Sequence, residues 1–133
     1  MITAIVRYRL PSHIGEAECR AHYERIALGF GEVPGLLRKQ FIWSESGIAG
    51  GIYQWSDRES AERFYGGPWR DGIRQRYGAD PEIEIFKTLA ITDNPGGVVT
   101  IPHSAPDDLS ARLRDQFDEF VAANLVPVAR RTA

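Results

Sequence analysis

The sequence predicts one α+β domain followed by a shorter extension, and three observations support this. Apolar residues make up 43% of the 133 residues and charged residues 26%, a balance typical of a globular protein with a single core. Segments with apolar residues at every second position, typical of strands, are interleaved with segments of helical spacing. Breaker residues in the sequence DNPGGVV then separate a final amphipathic segment from the rest.

Charge and cysteine content exclude several classes of function. The net charge is −2 and Lys and Arg form no run, so no nucleic acid partner is expected. Cys19 is the only cysteine, which rules out an internal disulfide and a CxxC metal or redox site. The N-terminal MITAIVRYRL has the alternation of a strand and lacks the basic region followed by an apolar stretch that marks a signal peptide. No apolar run approaches the ~20 residues that span a membrane. We therefore expect a cytoplasmic protein with no membrane partner.

The predicted elements follow one another in the order β-α-β-β-α-β, which is the ferredoxin-like pattern. Gly47, which can adopt a positive φ, allows the second and third strands to form a hairpin. Asp57 is a candidate N-cap for the second helix, and GGPW at residues 66–69 divides that helix in two. The predicted strands span residues 2–10, 36–45, 50–56 and 81–92, and the predicted helices span residues 15–31, 57–65 and 70–77.

The ferredoxin-like unit is expected to occupy residues 1–92, and residues 93–133 form the linker and a C-terminal helical extension. The extension contains a predicted amphipathic helix over residues 107–125, with a start at Ser104 that resembles a capping box. A lone helix of this length is not stable in water. It is therefore expected to pack on its own domain or on a partner.

The sheet face that points away from the helices is predicted to be partly apolar. Ile5, Ile52 and Phe86 oppose the main apolar rows of their strands. Since a large exposed apolar face is unusual in a monomer, a homodimer packed sheet to sheet with twofold symmetry is expected. The alternative is a monomer whose tail helix covers this face.

Gly50 and Gly51 stand side by side in the third predicted strand. Glycine weakens a strand interior, and a pair of glycines marks a bulge or a close approach to the backbone. We interpret the pair as a bulge that bends the strand as the sheet curls toward a barrel. The alternative is that the two glycines clear room for a ligand.

The segment VPGLLRKQFIWSESGIAGGIYQWSDRESAERFY, residues 33–65, resembles the monooxygenase-like proteins of the dimeric α+β barrel superfamily. The shared features are the VPG turn, a hairpin ending in GGIY and a following helix with S-A-x-x-F/Y. The resemblance covers residues 1–92 and is closest to the short bacterial, antibiotic-biosynthesis-monooxygenase-like branch. It implies a dimeric α+β barrel with a pocket between sheet and helices in each subunit. It also implies oxidation of phenols or quinols by molecular oxygen without a cofactor, although some relatives degrade haem or have no known activity.

Cofactor-free oxygenation needs a substrate anion that passes an electron to oxygen, in an apolar pocket that offers one base. His22, whose imidazole titrates near neutral pH, and Tyr65, beside the helix break, are the predicted catalytic residues. The other interpretation of His22 is a half-solvated histidine at a helix border. Core packing or dimer contact is the alternative for the aromatic residues. The predicted substrate-binding residues are Tyr8, Tyr23, Trp43, Tyr53, Trp55, Phe64 and Trp69.

No metal and no cofactor are predicted. The three histidines are scattered and lack ligand spacing. Asn94 and Asn124 lie beyond the core, whereas haem-degrading and quinone-forming relatives commonly place an Asn on a core element. Two functions remain: a cofactor-independent monooxygenase acting on a small aromatic or polyketide-like substrate, and a small-molecule-binding or accessory protein without chemistry. A third class, a structural dimer with a filled core, would have no pocket.

Overall fold

The computed structural model describes residues 1–102, and these residues confirm the predicted ferredoxin-like order. Four strands form one antiparallel sheet in the order β2-β3-β1-β4. The predicted helix over residues 107–125 lies outside the described part of the chain. The strands of this sheet are β1 (Ile2–Arg9), β2 (Leu36–Ser44), β3 (Ile48–Trp55) and β4 (Glu82–Lys87), and the α-helices are α1 (Glu16–Ile26), α2 (Arg58–Tyr65) and α3 (Pro68–Tyr77).

The helix ends follow from local sequence. The first predicted helix is α-helical only to Ile26 and continues as a 3-10 helix over Ala27–Glu32, where two glycines weaken the α conformation. Asp57 is the N-cap of α2, as predicted. Its carboxylate accepts a hydrogen bond from the Ser60 backbone N–H at 2.7 Å. Helix α3 begins at Pro68, earlier than predicted, because proline suits the first helical turn.

The fourth strand is shorter than predicted. It ends at Lys87 and not at Thr92, and the Thr88 backbone N–H then donates to the Met1 carbonyl at 3.0 Å. A second compact unit begins at Leu89. Its described part is a separate hairpin of β5 (Ile91–Asp93) and β6 (Val98–Thr100), so the predicted linker DNPGGVV contributes a hairpin turn.

The inner face of the four-stranded sheet carries the core. Trp55, Val6 and Ala4 are fully buried there, and Cys19 of α1 packs among them as a buried small apolar residue. Helix α2 contributes Ala61 and Tyr65, and α3 contributes Tyr77. The inward-facing residues of the two central strands are Ile2, Ala4, Val6 and Tyr8 of β1, and Ala49, Gly51, Tyr53 and Trp55 of β3.

The outer face of the same sheet is partly apolar, as predicted. Ile5 pairs with Ile52 across β1 and β3, and both side chains remain partly exposed, as does Ile42 of β2. Phe86 of β4 is 41% exposed.

Within residues 1–102, no helix is long and apolar enough to cross a membrane.

The predicted bulge at Gly50 and Gly51 is wrong. Strand β3 pairs in regular register with both neighbours through this pair, and the bulge lies in β2 between Leu36 and Arg38. Gly50 is required because a Cβ there would overlap the carbonyl oxygen of Val6 in β1. A Cβ at Gly51 would lie 2.9 Å from a Tyr53 ring carbon and 3.0 Å from Lys39 Cε, so this glycine leaves room for two inward-facing side chains.

Candidate functional site

A cavity of ≈ 260 Å³ lies between the inner face of the sheet and the helices α1 and α3. Strands β1, β2 and β3 form its floor, α1 and the 3-10 helix form one wall, and α3 forms the other. This is the position that the resemblance predicts for a pocket. The side chains that define its chemistry are Tyr8, His22, Tyr23, Phe30, Lys39, Tyr53, Trp69, Arg76 and Tyr77.

The break between α2 and α3 determines the position of the cavity wall that α3 forms. Gly66 and Gly67 end α2, and Pro68 starts α3 in a new direction. Trp69 and Arg76 then fall on the cavity side of α3, at positions i and i+7. At the end of this helix the Tyr77 ring stacks on Tyr8 of β1, with ring centroids 4.4 Å apart.

Lys39 is the most unusual group in the cavity. Its Nζ lies 3.4 Å from the centroid of the Phe30 ring, 4.0 Å from that of Phe41 and 4.5 Å from that of Tyr53. Among the described residues, no carboxylate forms a salt bridge with it. Burial lowers the pKa of Lys39 to about 7, because the apolar surroundings disfavour the ammonium form.

The bulge in β2 explains why the Lys39 side chain faces the core. Leu36 faces Trp55 and Arg38 faces Gln54, so the extra residue, Leu37, has no partner in β3. Lys39 therefore shares the inward face with Leu36, which precedes the bulge. It also shares this face with Phe41 and Trp43, which follow the bulge and lie opposite Gly51 and Ala49. Gly51 leaves the space that the lysine stem occupies.

His22 of α1 lines the cavity as a neutral base. Burial is the main reason that its pKa lies below the usual value, and the positive charges of Arg76, Arg25 and Lys39 lower the pKa further. At neutral pH the imidazole is therefore uncharged, and one of its ring nitrogens is free to accept a proton.

Two tyrosine hydroxyls meet at the floor of the cavity. The Tyr8 and Tyr23 hydroxyl oxygens are 2.6 Å apart, within hydrogen-bond distance. Burial raises the pKa of Tyr8, and it raises the pKa of Tyr23 to about 12. Both groups therefore stay protonated at neutral pH and serve as hydrogen-bond donors, not as bases.

Of the nine residues predicted for the site, five line this cavity: Tyr8, His22, Tyr23, Tyr53 and Trp69. Tyr65, Trp55, Phe64 and Trp43 do not. The Tyr65 hydroxyl accepts a hydrogen bond from Trp55 Nε1 at 3.1 Å, in the buried core. The Tyr65 ring nevertheless contacts two cavity walls, with centroids 5.4 Å from Tyr53 and 5.0 Å from Trp69.

The other two aromatic residues, Phe64 and Trp43, pack against the core and do not line the cavity. Phe64 packs edge-on against Tyr65 and tilted against Trp69, at centroid distances of 5.4 and 5.7 Å. Trp43, near the end of β2, packs against the core, and its indole N–H is buried without a hydrogen-bond partner within residues 1–102.

The sequence prediction missed Lys39 and Arg76. For each of these two residues, the spacing in the sequence indicated a position on the cavity side of its element. Lys39 stands in phase with Phe41 and Trp43, two positions apart along the strand, and so shares their inward face. Arg76 stands seven residues after Trp69, on the same side of α3. Neither charged residue was assigned to the cavity, because a lysine or arginine in an amphipathic element is ordinarily placed in solvent.

No site for a metal is evident in the part of the chain that the structure describes. Across residues 1–102, no three His, Cys, Asp or Glu side chains come together as metal ligands would.

Solved structures share this fold, whereas no family model and no curated protein matches the chain. SnoaB, a cofactor-independent oxygenase from Streptomyces nogalater, is similar with a TM-score of 0.50 at 20% identity, covering 71% of this chain and 96% of that one. An antibiotic biosynthesis monooxygenase gives a TM-score of 0.52 at 13% identity, with coverages of 67% and 99%. A putative antibiotic biosynthesis monooxygenase from Deinococcus radiodurans gives a TM-score of 0.52 at 14% identity, with coverages of 70% and 97%. The chain therefore has the fold of the antibiotic biosynthesis monooxygenases, which confirms the predicted resemblance at the level of the fold.

Proposed function

We propose that this protein is a cofactor-independent monooxygenase that oxidises a small, electron-rich aromatic substrate. One observation carries the proposal: a neutral base, His22, and an amine, Lys39, face the same cavity with aromatic walls. A solved structure of similar fold is described as a cofactor-independent oxygenase, which supports the same reaction class.

The proposed reaction starts at an acidic CH₂ or phenol of the substrate. His22 takes the proton, and protonated Lys39 stabilises the resulting anion through its positive charge. The anion passes one electron to O₂, the two radicals combine to a hydroperoxide, and loss of water leaves a carbonyl. The balance is R₂CH₂ + O₂ → R₂C=O + H₂O. Oxygen is the sole oxidant, and the four electrons come from the substrate carbon.

The walls hold the substrate ring. Trp69 of α3 and Tyr53 of β3 present flat aromatic surfaces to the cavity, and Tyr8 and Tyr23 offer hydroxyl donors at its floor. We assign Tyr65 a positioning role, because it packs against both Tyr53 and Trp69. Trp55 and Phe64 support these walls through ring contacts with Tyr53 and Trp69, and Trp43 packs against the core. A volume of ≈ 260 Å³ suits a ligand of one or two rings.

The second candidate function is binding without turnover, as in an accessory protein. The same walls and hydrogen-bond donors would hold an aromatic ligand whether or not it reacts. The cavity argues against a structural dimer with a filled core, which would leave no such space.

We further propose that the protein acts as a cytoplasmic homodimer. The partly exposed apolar outer face, with Ile5, Ile52 and Phe86, supports sheet-to-sheet packing of a second copy. The only cysteine, Cys19, is buried and free, which suits a reducing compartment.

Oxygen consumption with a panel of anthrones and hydroquinones tests the proposed function. We expect uptake of one O₂ for each carbonyl formed, and a fall of about 10²-fold in kcat/KM in the variant His22→Ala, as for the loss of a general base. His13→Ala, in an exposed loop, is the matched control and should keep wild-type activity. Tyr65→Phe should retain turnover, because its hydroxyl lies outside the cavity lining.

The pH profile of kcat/KM should be bell-shaped. Activity rises as His22 loses its proton, with a midpoint below the usual 6.5 for histidine, and falls as Lys39 loses its proton near pH 7. Absence of turnover across the panel would favour the binding protein over the oxygenase. Equal activity in His22→Ala and His13→Ala would instead show that His22 is not the base.

A further inference from the structure

The ionisable groups around the cavity are unbalanced in sign. Lys39, Arg76 and His22 line it, and residues 1–102 contribute no aspartate or glutamate to its lining. The remaining titratable side chains of the lining are tyrosines. The walls between these groups are mainly apolar and aromatic. A neutral ligand would leave the basic groups without an acceptor, and a cationic ligand would be repelled.

The choice of lysine at position 39 stands out against the rest of the sequence. The chain has 16 basic residues of the Lys and Arg type, and only Lys39 and Lys87 are lysines. Arginine stays charged under all ordinary conditions, whereas burial readily shifts the pKa of a lysine. Lys39 is partly buried beside three aromatic rings, while Lys87 is exposed at the end of β4.

We propose that the cavity selects aromatic carboxylic acids of one or two rings, with the carboxylate between Lys39 and Arg76. The ring system lies against Tyr53 of β3 and Trp69 of α3, which both line the cavity. This inference deepens the proposed function, because it names the substrate class, but binding of the acid does not require turnover.

Three features support Lys39 as the carboxylate partner. Its ammonium lies over the rings of Phe30, Phe41 and Tyr53, which offer cation–π contact but no opposite charge. No carboxylate within residues 1–102 forms a salt bridge with it. A buried charge of this kind is stabilised when a ligand supplies both the opposite charge and the acceptor oxygens.

Arg76 supplies the second contact, nearer to solvent. It is exposed, and its Nε donates to the Tyr77 hydroxyl at 3.2 Å, which holds the guanidinium beside the cavity that it lines. Arg76 and Lys39 both act electrostatically on His22, so the three basic groups share one region. The planar fork of a guanidinium matches a carboxylate, which favours this anion.

Proton uptake should accompany binding. The titratable or charged groups that face the anion are Lys39, Arg76, His22, Tyr8, Tyr23, Tyr53 and Tyr77. Burial raises the pKa of Tyr8, Tyr23 and Tyr53, so these hydroxyls keep their protons at pH 8. Lys39, with a pKa of about 7, is largely neutral at this pH in the empty cavity. An entering carboxylate favours the ammonium, so we expect uptake of up to about one proton for each ligand bound.

Titration calorimetry under nitrogen tests the inference without turnover. The probes are 1-hydroxy-2-naphthoate and its neutral methyl ester, which have the same ring system. Wild-type protein should bind the acid at least about 10-fold more tightly than the ester, in line with one charge-assisted hydrogen-bonded pair. Lys39→Met should lose most of that preference, whereas Lys87→Met should keep it. Titration at pH 8 in two buffers of different ionisation enthalpy measures the proton uptake.

The outcomes separate this inference from the oxygenase. Equal affinity for acid and ester, or equal affinity for the acid in the Lys39→Met and Lys87→Met variants, overturns it. Lys39→Gln is the second variant, and circular dichroism confirms that each variant is folded. Selective binding of the acid together with no oxygen uptake from any substrate would overturn the oxygenase and leave the ligand class established.

Discussion

Replacing Gly50 by alanine is expected to destabilise the protein by about 3 kcal/mol or more, the upper range for forcing an atom into a packed interior. The added Cβ would overlap the carbonyl oxygen of Val6, which belongs to the backbone of β1 and has no side chain that moves aside. Strands β1 and β3 are the two central strands of the sheet, so a shift between them disturbs the whole core.

Urea unfolding followed by circular dichroism measures this loss. Gly29→Ala is the matched control, because a Cβ at Gly29 meets no atom within 4 Å and its φ is not positive. We expect the control to stay within about 0.5 kcal/mol of wild type. If Gly50→Ala unfolds at the same urea concentration as Gly29→Ala, the close packing of β1 on β3 is wrong.

The second large effect is a gain of stability. Lys39→Met should stabilise the protein by about 2 kcal/mol at pH 6, less than the full pKa shift implies because Lys39 retains some contact with solvent. Below pH 7 the lysine is charged in both folded and unfolded chains, so the folded state bears the whole cost of burying the charge. Between about pH 7 and pH 10 the unfolded chain holds a proton that the folded chain has released, so wild-type stability rises with pH. The advantage of the methionine variant should therefore shrink across that range.

Chemical denaturation at pH 6 and pH 9 measures this difference. Lys87→Met is the control, since it removes an exposed lysine from the same sheet. A Lys39→Met variant that is less stable than wild type at pH 6 would contradict a desolvated amine, because it would show that the charge is well solvated or paired. A residue that destabilises the fold but binds a ligand is typical of a functional site.

Most of the fold was predictable from the sequence because it depends on local patterns. Apolar alternation located the four strands, and Asp57 marked the start of α2. The errors lie where local signals were ambiguous. The alternation continues from Ile85 through Leu89 to Ile91, and nothing in it shows that the chain leaves the sheet at Lys87 to form a separate hairpin.

The site was predictable only in part. The aromatic and histidine residues around the cavity follow from amphipathic faces, and Tyr8, His22 and Tyr53 line it, while their roles in binding or catalysis stay predictions. Tyr65 was assigned to catalysis from its place beside the helix break, but the structure turns its hydroxyl into the core toward Trp55. Lys39 was overlooked because its inward position depends on the pairing of β2 with β3 and on the space at Gly51, which are contacts between distant segments.

The most direct test of the account is a titration of the Lys39 amine itself. The chain has two lysines, so protein labelled with ¹³C at lysine Cε gives two signals by NMR, and the signal absent from Lys39→Met identifies Lys39. We expect its midpoint at about pH 7, and a rise of about one unit or more when 1-hydroxy-2-naphthoate is bound. A midpoint near 10.4, the value of an ordinary lysine, that does not move with the ligand would contradict the account, because Lys39 would then be a solvated surface charge with no part in the cavity.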